Sequence, residues 1–303
     1  MRAVAVINAQ ASAVLELGPD IVDGVESQFR ARGHEIELQL VSAKEIESAL
    51  KDAAARRDVE AVIVGGGDGS QSAAASLLAG TNKALGVLPL GTMNLLARDL
   101  DMPFDPREAV GALAGAYVDT IDLGELNGRT FHSLAGLGFL ARMARERQRA
   151  RGELPFARWL AFALAFWRAI SRTDRMSLEI ETESGKLLRR CSAVLVTNNI
   201  YREAEWTRKR ISDGLLEVHI VSGWTRLPLV KAGFDVMLGR WRQVGRIESI
   251  PAREIVITPR RRRVPVSLDG EVVYERSPLH FRVRQAALKV LRPAGSPPSA
   301  RPT

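Results

Sequence analysis

The run Val62-Ile63-Val64-Gly65-Gly66-Gly67-Asp68-Gly69-Ser70 ends an apolar stretch in glycines and passes at once into helical spacing. Glycine allows positive φ angles and lets backbone approach a phosphate closely. A helix N-terminus behind such a loop offers unpaired N–H groups and the positive end of a dipole. The chemistry this suits is the holding of a polyphosphate. No Gly-Lys-Ser/Thr follows, so the run is not a Walker A loop. Ser70 stands where the Gly-x-Gly-x-x-Gly dinucleotide pattern needs its last glycine. A tight strand-to-helix turn is the structural alternative.

A second run, Leu88-Pro89-Leu90-Gly91-Thr92-Met93-Asn94, also follows an apolar stretch and precedes helical spacing. Loops at the carboxyl ends of strands in an open parallel sheet line the ligand crevice. Two successive loops of this kind would face one crevice, where Thr92 can supply a hydroxyl and Asn94 an amide to a nucleotide. Far along the chain, Val266-Ser267-Leu268-Asp269-Gly270-Glu271 ends a strand-like run in two carboxylates around a glycine. Side chains two apart share a face in extended backbone, which would bring Asp269 and Glu271 together; a turn at Gly270 would alter this. Converging carboxylates raise each other's proton affinity and suit general-base work on a hydroxyl. Asp-Gly between two strands is more often simply a hairpin turn.

These residues need elements to hold them. Strand-like runs at Ala3–Ile7, Glu35–Leu40, Ala61–Val64 and Ala84–Leu88 alternate with helical spacing at 19–32, 43–57 and 70–79. Such alternation predicts a parallel sheet with helices on both faces. The pattern changes near Tyr117. Asn127-Gly128 predicts a hairpin with a type I′ turn, and strands follow at 176–182, 187–197, 215–221, 254–258, 264–268, 279–283 and 288–291. These predict a mainly antiparallel β-sandwich, interrupted by helices at 140–151 and 156–170. The expected domains are an α/β nucleotide-binding domain over 1–119 and a sandwich over 120–293. A Pro- and Ser-rich tail over 294–303 is expected to be disordered.

The chain of 303 residues is 46% hydrophobic, enough for a sizeable core, and its formal net charge is +8. A basic balance favours acidic partners such as anionic lipid surfaces, and Arg260 to Arg263 concentrate that charge before a strand; nucleic acid is the weaker partner class. The single cysteine, Cys191, excludes an intramolecular disulfide and fits a reducing cytosol. The four histidines, His34, His132, His219 and His280, have no metal-ligand spacing and read as surface or packing residues. The N-terminus opens on a strand-like run rather than a signal core. The longest apolar stretch, Leu154 to Ile170, carries Arg158 and Arg168 and falls short of the roughly 20 residues a spanning helix needs. It suits a helix packed on the sandwich or one lying at a bilayer interface.

The glycine loop, Pro89-Leu90-Gly91-Thr92-Met93-Asn94 with Ala97-Arg98 beyond it, Ala135-Gly136-Leu137-Gly138-Phe139, Ser212-Asp213-Gly214-Leu215-Leu216-Glu217-Val218 and Leu268-Asp269-Gly270-Glu271 resemble, in order and spacing, the diacylglycerol kinase catalytic family. That family includes bacterial lipid kinases and the related sphingosine and ceramide kinases. The resemblance implies two domains with ATP in the cleft between them, and magnesium-dependent phosphorylation of a membrane lipid at its hydroxyl. It implies that Gly65, Gly66, Gly67, Asp68, Gly69, Ser70, Gln71 and Thr92 hold the nucleotide, with Asn8 and Val41 as peripheral contributors. It maps a structural magnesium onto Arg210, Asp213 and Leu215, where Arg210 and Leu215 would give carbonyls. Asp269 and Glu271 would prepare the lipid hydroxyl, with Glu271 as the proton acceptor. A cytoplasmic protein in peripheral contact with an anionic bilayer, and not with nucleic acid, follows from that reading.

Three departures stand against the family pattern. Asn8-Ala9-Gln10-Ala11-Ser12 lacks the family's proline and glycine, Leu95 replaces an aspartate after Asn94, and no glycine follows Asn199 through Glu203. A small-molecule kinase related to NAD kinases shares the Gly-Gly-Asp-Gly loop, but Asn198-Asn199 lacks the carboxylate of its Asn-Glu pair. A non-catalytic nucleotide- or membrane-binding protein of the same fold is the other alternative.

Overall fold

The computed structural model describes residues 1–11, 14–15, 20–149, 175–201, 208, 210–222 and 247–296. The chain divides into two units, the first holding Met1–Leu123, Arg210–Asp213 and Arg284 onward, the second Gly124–Lys209 and Gly214–Val283.

In the first unit, strands β1 (Arg2–Asn8), β2 (Glu35–Val41), β3 (Ala61–Gly66) and β4 (Ala84–Pro89) alternate with helices α1 (Asp20–Ala31), α2 (Ile46–Ala55) and α3 (Asp68–Leu78). Helices α4 (Leu95–Asp99) and α5 (Pro106–Ala114) follow. The strands pair in parallel in the order β2-β1-β3-β4. Every residue of β3 and β4 is buried, as expected of strands covered on both faces by helices. Helix α5 starts on a cap, the Asp105 carboxylate accepting the N–H groups of Arg107 and Glu108.

The second unit begins within β5 (Tyr117–Leu126). It continues through β6 (Arg129–Phe131), β7 (Leu134–Gly138), α6 (Phe139–Arg149), β8 (Met176–Thr182), β9 (Gly185–Cys191), β10 (Ala193–Asn198) and β11 (Leu216–Val221). It ends with β12 (Ile247–Ala252), β13 (Glu254–Pro259), β14 (Arg263–Leu268), β15 (Glu271–Arg276) and the first part of β16 (Leu279–Arg292). One sheet runs β12-β11-β10-β7-β14-β15, and β16, β13, β8 and β9 form another, antiparallel throughout. In β8, buried Leu178 and Ile180 alternate with half-buried neighbours, the pattern of a sheet with one covered face. Asn127 (φ 47°) and Gly128 (φ 88°) both take left-handed backbone and join β5 to β6 in the hairpin the sequence predicts.

The α/β unit with its parallel sheet and the antiparallel sandwich are the classes expected, but three boundaries differ. The run 187–197, read as one strand, breaks at Ser192, where the chain leaves the partner of β8 and joins the sheet of β7 and β11. The runs 279–283 and 288–291 are one strand, β16. Its last part belongs to the first unit rather than to the sandwich domain expected over 120–293, because Lys289 and Val290 pair with Ala84 and Leu85 of β4. Arg210–Asp213 also return to the first unit, where Ile211 is buried and its carbonyl accepts the N–H of Asp122. The start of the expected tail is tied down, the Ser296 carbonyl accepting from the Tyr117 hydroxyl. Residues 297–303 and the predicted helix from Leu154 to Ile170 lie outside the described residues. Among those described, no helix is long and apolar enough to cross a membrane.

Candidate active site

In the first unit, β1 through β4 end at one edge of the parallel sheet, so Asn8, Val41, the glycine loop and the second loop share that edge. None of Gly65 to Gly69 has a positive φ; the loop's glycines are required by proximity instead. A Cβ on Gly91 would lie 2.4 Å from the Cα of Gly67, and one on Gly66 would lie 2.8 Å from Ser70 Oγ. The two loops therefore pass each other at backbone contact. Gly67 caps α3 in extended backbone and, lacking a side chain, makes no cap hydrogen bond to the first turn of that helix. Its leading N–H groups have no acceptor within the helix, and the positive dipole end is left for an anion.

Polar side chains lock the loops together. Asp68 accepts the N–H of Leu95 at 2.7 Å and that of Asn94 at 3.3 Å. Buried Gln71 donates to the Gly66 carbonyl and to Asn94 Oδ1, while its own Oε1 is buried and accepts nothing. Asn94 (φ 49°) is buried; it donates to the Gly91 carbonyl at 2.7 Å and accepts the Gly91 N–H at 3.1 Å. The Asn94 amide, expected to serve a nucleotide, thus bonds Gly91 through both its oxygen and its nitrogen, and Gln71 braces the same loops through Nε2. Asp68 is likewise a clamp. Asn8 Oδ1 accepts the Gln10 N–H, and the Val41 carbonyl accepts the Ala9 N–H, so both shape the neighbouring turn. Thr92 is exposed.

In the second unit, Asp269 (φ 47°) and Gly270 (φ 89°) form a tight turn, and Leu268 pairs with Glu271 across it. Of the two arrangements open to Asp269 and Glu271, a shared strand face or a turn at Gly270, the structure has the turn. The Asp269 side chain is 2% exposed and accepts the N–H groups of His132, Ser133 and Leu134 at 2.9, 2.9 and 3.0 Å. Glu271 is exposed. The two carboxylates thus hold different posts, one anchoring the turn and the other open to solvent.

The segment Asp269 anchors is itself embedded in polar contacts. The His132 carbonyl accepts from Asn198 Nδ2 at 3.0 Å and from Arg208 Nη1 at 2.7 Å, and Ser133 Oγ lies 2.5 Å from the Tyr201 hydroxyl. The His132 ring is buried, with no hydrogen bond at either nitrogen and Nε2 3.6 Å from Asp269. Nothing in the local sequence around these residues signals the network, because its members come from distant parts of the chain.

A structural magnesium maps to Arg210, Asp213 and Leu215. Asp213 is their one carboxylate and lies 3.9 Å from the Arg210 guanidinium. The Leu215 carbonyl accepts the Asn199 N–H at 2.9 Å. Among the described residues, no group of three or more His, Cys, Asp or Glu is placed to hold a metal. Magnesium keeps several waters and is bound through one or two carboxylates, so Asp213 with the Arg210 and Leu215 carbonyls is a donor set of the chemistry it takes.

Residues 2–126 match the diacylglycerol kinase catalytic domain, and residues 135–292 match the YegS C-terminal NAD kinase beta sandwich-like domain. A Pseudomonas aeruginosa protein described as a probable lipid kinase, YegS-like, is 32% identical over 267 residues, covering 82% of this chain and 84% of its own. A Mycobacterium tuberculosis diacylglycerol kinase is 27% identical over 261 residues, covering 80% of each. The crystal structure of a diacylglycerol kinase from Bacillus anthracis superimposes with a TM-score of 0.69 over 97% of both chains at 16% identity, a likeness of fold.

Proposed function

The chain belongs to the diacylglycerol kinase catalytic family and is a lipid kinase, and from that premise we propose that it transfers the γ-phosphoryl group of magnesium-bound ATP to a hydroxyl of a diacylglycerol-like membrane lipid. The observation that carries the nucleotide half is the uncapped N-terminus of α3 beside the contact of Gly67 with Gly91. Backbone N–H groups there would meet phosphate oxygens, and the Thr92 hydroxyl would reach the same ligand. Asn8 and Val41 would border it. Gln71, Asn94 and Asp68 hold the loop shape.

Phosphoryl transfer depends on positioning and charge neutralisation more than on covalent help. Magnesium would arrive with ATP as part of the substrate and neutralise its phosphates. The acceptor hydroxyl must lose a proton as it attacks, and exposed Glu271 is the group to take it. Asp269 fixes the turn that carries Glu271. Contact with the bilayer would be peripheral, drawn by the basic surface.

The test is incubation with labelled ATP, magnesium and a total lipid extract, followed by identification of the labelled product. A labelled lipid phosphate supports the reading. Label found only in a water-soluble dinucleotide would replace it with a small-molecule kinase, and no transfer to either would leave a binding protein.

A further inference from the structure

Two basic grooves cross the surface of the second unit. In the first, Arg129 is paired with Glu275 at 2.8 Å and Arg263 lies over the Tyr274 ring at 5.4 Å, so part of its charge is already answered. The second is different. It encloses ≈ 460 Å³ between β7, β8, β14 and the start of α6, and its floor is apolar: Leu137, Phe139, Met176, Leu178 and Val264. Its rim carries Arg175, Arg190, Arg260 and Arg261, all exposed, and no carboxylate is among its described lining residues.

An apolar floor beneath guanidinium groups, with no carboxylate among the described lining residues, has one complementary ligand chemistry, an amphiphile with an anionic head. Guanidinium forks bind phosphate oxygens in pairs, with charge-assisted bonds about twice as strong as neutral ones. A bare phosphate would leave the floor wet, and a neutral lipid would leave the arginines unanswered. The volume lies within the range of small-molecule sites. We propose that this groove binds a lipid phosphate, its head on Arg175, Arg190, Arg260 and Arg261 and the start of its acyl chains on Leu137, Phe139 and Val264. The site is set apart from the proton acceptor: Pro265 on its edge and Leu268, which pairs with Glu271, are three residues apart along β14, about 10 Å at 3.3 Å per residue. A lipid phosphate is the product of a lipid kinase, so the groove gives the enzyme a hold on membranes already enriched in product. This extension rests on the lipid kinase reading.

The test uses the whole protein without ATP, sedimented with phosphatidylcholine vesicles with or without phosphatidic acid. The double variant Arg190→Gln/Arg261→Gln should lose at least about tenfold in affinity for the phosphatidic acid vesicles, the loss expected when charge-assisted contacts are removed. The control Arg262→Gln/Arg276→Gln, which removes the same charge from the other groove, should keep most of its binding. Soluble lysophosphatidic acid should displace the wild type from vesicles far better than inorganic phosphate does. Equal losses in the two variants would mean a diffuse basic surface and overturn the proposal, as would full retention by the groove variant or equal displacement by inorganic phosphate. Turnover of a neutral acceptor dispersed in detergent is measured alongside: its absence in the wild type would count against the kinase reading and leave the binding result standing.

Discussion

The carboxylate of Asp68, first residue of α3, accepts the backbone N–H of Leu95, first residue of α4, at 2.7 Å. One side chain thereby ties the glycine loop to the loop after the next strand. Losing an acceptor at a helix start costs about 0.5–2 kcal/mol. Asp68→Ala should lower the melting temperature modestly and weaken ATP binding more than that stability loss explains, because the two loops lose their common clamp. Calorimetric titration with ATP checks this; undiminished affinity in the destabilised variant would show that the clamp does not shape the nucleotide site.

Gly67 and Gly91 separate packing from ligand contact. A methyl group on Gly91 meets Gly67 backbone at 2.4 Å, whereas one on Gly67 finds its nearest neighbour at an ordinary 3.4 Å. Gly91→Ala should destabilise by about 1–3 kcal/mol, as overpacking does. Gly67→Ala should unfold with the wild-type midpoint and still bind ATP less well, since the methyl group intrudes where phosphate meets backbone. Urea unfolding and ATP titration of the pair decide it: unchanged ATP affinity in Gly67→Ala would refute the phosphate-loop assignment.

Asp269 and Glu271 should part company under mutation. Asp269→Asn keeps the shape but turns an N–H donor toward one of three backbone donors, and a mismatch of that kind costs about 1–3 kcal/mol. Glu271→Gln touches an exposed group and should leave stability alone while lowering turnover by about 10²- to 10⁴-fold, the usual contribution of a general base. Melting curves and turnover at saturating ATP measure both. Wild-type turnover in Glu271→Gln would remove it from the mechanism.

Cys191 reports on the sandwich core. It is buried, and burial pushes its thiol up to about 11. The thiolate is the reactive form, so alkylation at pH 8 should be slow in the native protein and fast in denaturant. An unfolded thiol ionises near 8.5. The unfolded state therefore releases its proton first as pH rises, and stability should be full below about 8.5 and decline from there to about 11. Rapid native alkylation at pH 8 would contradict the burial.

Much of this arrangement was legible in the chain because it is written locally. The buried runs Ala61–Val64 and Ala84–Leu88 ending in glycine-bearing loops predict the sheet edge, and Asn127-Gly128 predicts its hairpin. Side-chain allegiance was not legible. Asn94 and Gln71 have the chemistry of ligand groups and act as internal braces, a choice made by 3 Å geometry across a loop. Asp269 serves residues 132–134, a partnership that only the pairing of β7 with β14 creates. The switch of sheets at Ser192 carries no glycine or proline to announce it, so its two strands read as one.

Strand β16 has a consequence for how the protein is made. The parallel sheet of the first unit pairs β4 with Lys289 and Val290, and Leu288, Val290 and Leu291 fill that unit's core. A ribosome therefore releases β1 to β4 long before the strand that covers the edge of β4 exists. Until then the nascent chain carries an unpaired, wholly buried-type strand as its border, the kind of edge that recruits foreign strands. Folding of the first unit completes only after the sandwich has been synthesised, and its long-range closure sets a slow, late step. A fragment of residues 1–123 should aggregate, and adding the segment 284–296 in trans should rescue its solubility.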